Sequence, residues 1–116
     1  NILLMGDATV NNEDILMKRY NLPKIDILKV GHHGSRTSSS KLFIKDIEPK
    51  ISLISSGKNN KYHLPNLDVI QRLKYYGSKV FDTQDNGELT INLDEEVYIV
   101  YRDNLNQKSL ARESVS

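Results

Sequence analysis

The stretch IDILKVGHHGS, residues 25–35, decides how this chain folds. Ile25 to Val30 is a short apolar run that stops on Gly31, and so reads as a buried strand entering a loop. The loop carries two adjacent histidines between glycines. Working outward, the same unit recurs on both sides. Upstream, Ile2 to Met5 runs into Gly6-Asp7. Downstream, Ile51 to Ser55 runs into Ser56-Gly57 and the polar loop KNNKYH.

Helices are expected between these strands. Asn11 or Asn12 would cap one through about Tyr20, with Glu13 and Asp14 near its positive end and Ile15, Leu16 and Tyr20 as its apolar stripe. Ser38 or Ser39 would cap a second, about Lys41 to Ile47, with Leu42, Phe43 and Ile47 inward and Pro49 as its stop. Pro65-Asn66 opens a third, carrying Leu67, Ile70, Leu73 and Tyr76, with Asp68 and Arg72 as an exposed i,i+4 pair and Gly77 as its C-terminal cap. Strands follow at Lys79–Asp82, Glu88–Leu93 and Val97–Arg102, the last two as a hairpin; DNG (85–87) and DEE (94–96) are turn signals. Residues 1–103 thus form one α/β layer with an antiparallel finish, and 104–116 a polar tail or frayed helix.

Composition narrows the chemistry. The chain has 116 residues, 38% hydrophobic and 27% charged, with no apolar run near the roughly 18 residues a membrane span needs. It has no cysteine, so ligand chemistry falls to His, Asp and Glu. The N-terminus NILLMGDA has no basic region before its apolar run and is not a signal peptide. It also lacks an initiator Met, and the expectation is that the chain begins inside a larger protein. Net charge is only +1, but residues 29–63 hold seven Lys/Arg against two acids, together with all three histidines. That coincidence suits an anionic substrate, although solvated helix and loop faces account for such lysines equally well.

Three strand ends carry polar loops, and in α/β sheets sites gather beyond the carboxyl ends of strands. Asp7 offers a hard carboxylate for a cation, or caps its own loop. His32 and His33, in an extended segment, would point to opposite sides, one as ligand and the other toward substrate. Ser35, Thr37 and Ser38 would bind phosphate through hydroxyls and the next helix, or simply cap it. Lys29, Lys58, Asn59 and His63 are further candidate substrate contacts; Lys58 and Asn59 also suit a plain turn. No GxSxG elbow and no GxxxxGK[ST] loop occurs.

LLMGDA (3–8), IDILKVGHHGSRTSSS (25–40), PKISLISSGKNNKYHLPN (49–66), VIQRLKYYG (69–77) and TQDNGELTI (83–91), in this order, resemble the metallo-β-lactamase superfamily, and within it the C-terminal hydrolase domain of ComEC-type DNA-uptake competence proteins. The resemblance implies the C-terminal half of an αββα sandwich, a mixed sheet with flanking helices. It implies a hydrolase that activates water with two divalent ions, Zn or Mn, and cleaves a DNA phosphodiester. Asp7 would bridge the ions, His32 would complete the ligand set of the second ion, and His33 would act catalytically or face substrate. It also implies a bacterial protein whose soluble domain is joined to membrane spans in the plasma membrane.

The family's HxHxDH motif is absent from these residues, and Asp7 with His32 cannot hold two ions alone. The N-terminal half of the domain is therefore an expected partner, and the chain alone is expected to be inactive and prone to self-association. KYHLPN also departs from the family's YGHP-like sequence, displacing His63 by one residue. Two other functions fit the same residues. One is a phosphoesterase acting on a small phosphodiester or phosphocholine ester. The other is a non-catalytic nucleic-acid-binding module.

Overall fold

A computed structural model describes residues 1–55, 65–83, 90–93, 96–102 and 108–114, the last three segments as backbone only. It contains seven strands and three α-helices among those residues. The first half alternates strictly: β1 (Ile2–Leu4), α1 (Val10–Arg19), β2 (Ile27–Lys29), α2 (Lys41–Ile47), β3 (Ile51–Ile54), α3 (Leu67–Tyr75) and β4 (Lys79–Asp82). All four strands are parallel, in the spatial order β1-β2-β3-β4. The order steps one way without reversal, so right-handed crossovers place the three helices on a single face.

Register shows how that face is filled. Leu3, Leu28, Ser52 and Val80 lie side by side across the sheet. The hydrophobic members of this row pack with Phe43, Ile44 and Ile47 of α2 and Val69 and Leu73 of α3. Ser52 is the polar exception, and its hydroxyl meets that of Ser78 at 2.5 Å. The neighbouring row, Ile2, Ile27, Ile51 and Lys79, projects the other way. There Ile27 and Ile51 are buried, whereas at the β1 edge Ile2 and Leu4 are exposed.

The expected α/β class is present, with one difference in layout. The strands do not form one mixed sheet. β5 (Thr90–Leu93), β6 (Glu96–Arg102) and β7 (Lys108–Ser114) form a separate antiparallel sheet. β5 and β6 are the expected hairpin. Within the stretch read as a polar tail, Lys108–Ser114 pairs along the whole of β6. Backbone pairing explains this: β7 satisfies the free N–H and C=O groups of β6, which its own polar composition does not forbid.

The helix starts differ from expectation by one to three residues. α1 begins from Thr9, not Asn11 or Asn12; the Asn12 side chain folds back to accept from the Thr9 N–H at 2.9 Å. α2 is capped by Ser40, whose hydroxyl accepts from the Phe43 N–H at 3.2 Å, not by Ser38 or Ser39. Asn66 caps α3 as read, accepting from the Asp68 N–H. The inward faces also shift. Leu42, Leu67, Ile15 and Tyr20 are exposed, while Ile44 and Val69 are fully buried in place of the first two. Arg72 does not serve an exposed pair with Asp68; it donates to the Ser39 carbonyl at 2.6 Å. No helix among the described residues is long and apolar enough to cross a membrane.

Candidate functional site

The loops after β1 and β2 and the end of the loop after β3 meet at the carboxyl edge of the parallel sheet. Two glycines make this meeting possible. A Cβ on Gly31 would sit 3.0 Å from the Ala8 carbonyl oxygen and 3.2 Å from Met5 Cβ, so the first two loops close only over a bare backbone. Their contact is a hydrogen bond from the His32 N–H to the Gly6 carbonyl, 2.7 Å. A Cβ on Gly34 would lie 2.6 Å from Pro65 Cβ, and Gly34 itself has φ +77°. Here the third loop lands, with the Asn66 N–H donating to the Gly34 carbonyl at 2.9 Å.

The histidine segment is not extended. Gly31–Gly34 is a tight turn whose interior is left-handed and not helical, with His32 at φ 50° and His33 at φ 54°. Left-handed backbone costs an ordinary L-residue about 1–2 kcal/mol. Two such residues in succession store strain of the kind that gathers at functional sites. The two rings have separate anchors. His32 Nδ1 lies 3.1 Å from the Thr37 hydroxyl. His33 Nδ1 lies 2.7 Å from the Ser55 carbonyl oxygen. A carbonyl only accepts, so His33 Nδ1 carries the proton. That leaves Nε2 as the outward ring nitrogen, and the residue is exposed.

Asp7 is exposed at the turn after β1, behind Gly6 at φ 55°. It lies close enough to Lys29 to act on its charge. Burial pushes the Lys29 ammonium below its usual pKa, and the Asp7 carboxylate pushes it partly back. Lys29 closes β2, and Asp7, His32 and His33 lie in the turns that follow β1 and β2, so all four belong to the same end of the sheet.

The hydroxyl residues behave differently from one another. Ser35 Oγ and Thr37 Oγ1 are 2.9 Å apart, so Ser35, Thr37 and His32 form a short polar relay. Ser38 is fully buried, and its hydroxyl donates to the Gly31 and Ser35 carbonyls at 2.9 and 3.0 Å. It braces the loop from inside, and the structure places it away from any surface a substrate could reach. Lys58, Asn59 and His63 lie outside the described residues.

One residue escaped the sequence reading. Glu13, assigned to the first-turn charge of α1, is fully buried. Its carboxylate accepts from the backbone N–H groups of Ser39 and Ser40, the latter at 2.9 Å. Burial raises its pKa above 4.5, and the two backbone hydrogen bonds pull it back down. Helical phase held the signal. Glu13 stands three and four residues before the half-buried Leu16 and Met17, on the inward stripe of α1.

Asp7 and the two imidazoles are the right donor types for a hard or borderline divalent cation. They are too few. Among the described residues no three His, Cys, Asp or Glu side chains group closely enough to hold an ion. A shallow cavity of about 730 Å³ lies elsewhere, at the C-terminal ends of α1 and α2, lined in part by Lys18, Arg19 and Lys45. It contains none of the candidate residues.

No protein-family model matches the chain, and no solved structure matches it. Several curated bacterial proteins do. Recombination protein 2 of Haemophilus influenzae is 42% identical over 91 residues, which are 78% of this chain and 11% of that protein. ComE operon protein 3 of Bacillus subtilis is 41% identical over 87 residues, 75% of this chain and 11% of the relative. Competence protein ComA of Neisseria gonorrhoeae is 36% identical over 94 residues, 79% of this chain and 14% of the relative. The chain spans little more than a tenth of the length of these relatives.

Proposed function

Because the chain is homologous to a segment of bacterial competence proteins, we propose that it is part of a phosphodiesterase domain that cleaves DNA during competence-linked uptake. The observation that supports this reading is the position of Asp7, Lys29, His32 and His33 at the carboxyl end of β1 and β2, with Asp7 acting on the Lys29 charge and His33 Nδ1 held by the Ser55 carbonyl. An imidazole oriented through Nδ1 leaves Nε2 to face a substrate or a ligand. Lys29 offers a cation for a phosphate oxygen.

The domain is a metallo-β-lactamase-type αββα sandwich in this reading. Asp7 and His32 would contribute to a shell for two zinc or manganese ions, completed by residues from the N-terminal half of the same domain. Such ions supply Lewis acidity toward water and the phosphoryl oxygens. The exposed Ile2 and Leu4 at the β1 edge suit a further layer packed against that edge. The chain by itself would be inactive and would self-associate through the same edge. The parent would be a membrane protein carrying this domain outside its spans.

The test uses the longer parent protein. It should cleave single-stranded DNA in a metal-dependent manner, and Asp7→Ala and His32→Ala should each abolish cleavage without preventing DNA binding. A parent that binds DNA in a salt-sensitive way but neither holds metal nor cleaves would make this a binding module. Competition between DNA and a small phosphocholine ester separates the DNA reading from that of a small-molecule phosphoesterase. Metal-dependent cleavage by the 116 residues alone would show that no second half is needed.

A further inference from the structure

The serine run 38–40 has a feature that neither helix capping nor substrate binding accounts for. Ser39 is left-handed, at φ 54°, and only 1% exposed. Its peptide groups are gripped from two sides. The Glu13 carboxylate of α1 accepts from the N–H groups of Ser39 and Ser40, and the Arg72 guanidinium of α3 donates to the Ser39 carbonyl at 2.6 Å. Three separate helices are thus tied together at one residue.

What lies next to that residue gives the arrangement its meaning. Thr37, two positions upstream, is pinned at its carbonyl by the Val10 N–H of α1, 2.8 Å. Its hydroxyl is the group that meets His32 Nδ1. We propose that Glu13 is the positioning residue of the histidine turn: with Arg72 it fixes the backbone of Ser39, and so holds Thr37 where it orients the His32 ring. Glu13 itself touches neither imidazole. It acts through the loop, in the way that outer-sphere partners set ring orientation and tautomer at metal and catalytic histidines. The functional value of that orientation rests on the hydrolase reading; the geometry does not.

His33 provides an internal control. Its Nδ1 is held by the Ser55 carbonyl at the end of β3, a different element with no share in the Glu13 grip. Loss of the grip should therefore disturb one histidine and spare its neighbour, whereas general loosening of the fold would disturb both.

The experiment is side-chain nitrogen NMR and amide exchange on the full chain. In Glu13→Gln the shape is kept, but an NH2 group replaces one acceptor oxygen. Whichever of the Ser39 and Ser40 amides then faces the NH2 should exchange about tenfold faster, on the scale of a single lost hydrogen bond. The His32 Nδ1 resonance should move and that of His33 should stay. Arg72→Gln, which frees the other side of Ser39, should give the same pattern more weakly, and it decides the matter alone if Glu13→Gln does not fold. Equal movement of both histidines, or movement of neither, overturns the proposal. None of these readouts involves catalysis. An inactive parent would refute the hydrolase reading and leave this one standing, and an unmoved His32 would do the reverse.

Discussion

The helix-covered face of the parallel sheet and the polar edge at its carboxyl ends are built on opposite principles. On the face, Leu28, Val30, Phe43, Ile44, Ile47, Ile54, Val69 and Leu73 are all fully buried, and each contributes by leaving water. Burial has no direction, so such a core tolerates approximate shapes. At the edge, Glu13, Ser38 and Ser39 are equally buried, but each is held by named hydrogen bonds or by a costly dihedral. The face supplies stability. The edge spends some of it to hold particular atoms in particular places.

Phe43→Ala is the largest expected effect and tests the first half of that contrast. Phe43 is fully buried on α2. Its truncation should cost about 3–5 kcal/mol, through lost transfer energy and the cavity left behind. Urea unfolding would measure this. If the variant still folds, the spectra of His32 and His33 should match those of the parent chain. A selective change at the histidines, with little loss of stability, would show that the two regions are not separate.

The contrast also explains what was legible in the sequence. Apolar runs leading to glycine marked β1, β2 and β3 as strands, although β1 proves to be an edge strand with Ile2 and Leu4 exposed and not a buried one. The meeting of their loops followed from strand order alone. Inward helix faces were harder. α2 carries apolar residues at 42, 43, 44 and 47, more than one stripe can hold, and only packing selects Phe43, Ile44 and Ile47 over Leu42. α3 poses the same choice between Leu67 and Val69. The edge was legible as residue types and not as geometry. GHHG reads as extended, whereas two left-handed histidines in succession go with anchors at Thr37 and Ser55, beyond the motif. Glu13 was misplaced because a charged residue near a helix start has a ready local explanation in the helix dipole. Its true partners lie 26 and 27 residues away.

A smaller effect probes the strain at the edge. His33 is exposed, so replacing it removes little packing. Glycine relieves the left-handed backbone and alanine does not. His33→Gly should therefore be more stable than His33→Ala by about 1 kcal/mol, after allowing for glycine's greater unfolded entropy. Thermal melts of the two variants would show it. Equal stability would mean that the turn carries no strain to relieve.

The subtlest effect concerns the sign of Glu13's own contribution. Burial raises its pKa above the ordinary 4.5, despite the lowering influence of the Ser39 and Ser40 hydrogen bonds. The native state therefore holds the Glu13 proton more tightly than the unfolded chain does. Between 4.5 and the raised native value, the native state carries more protons than the unfolded one, so this group's contribution to stability falls as pH rises. It is fully present below 4.5 and is lost through the native pKa. Glu13→Gln cannot titrate and lacks this dependence. The stability of the parent chain minus that of Glu13→Gln, from urea unfolding at a series of pH values, should decline from mildly acidic toward neutral pH. A flat or rising difference would mean that the carboxylate is stabilised in place, as an ordinary helix cap would be. A declining one, together with a displaced His32 in the same variant, would separate position from stability: a buried charge kept at a cost because of where it holds the loop.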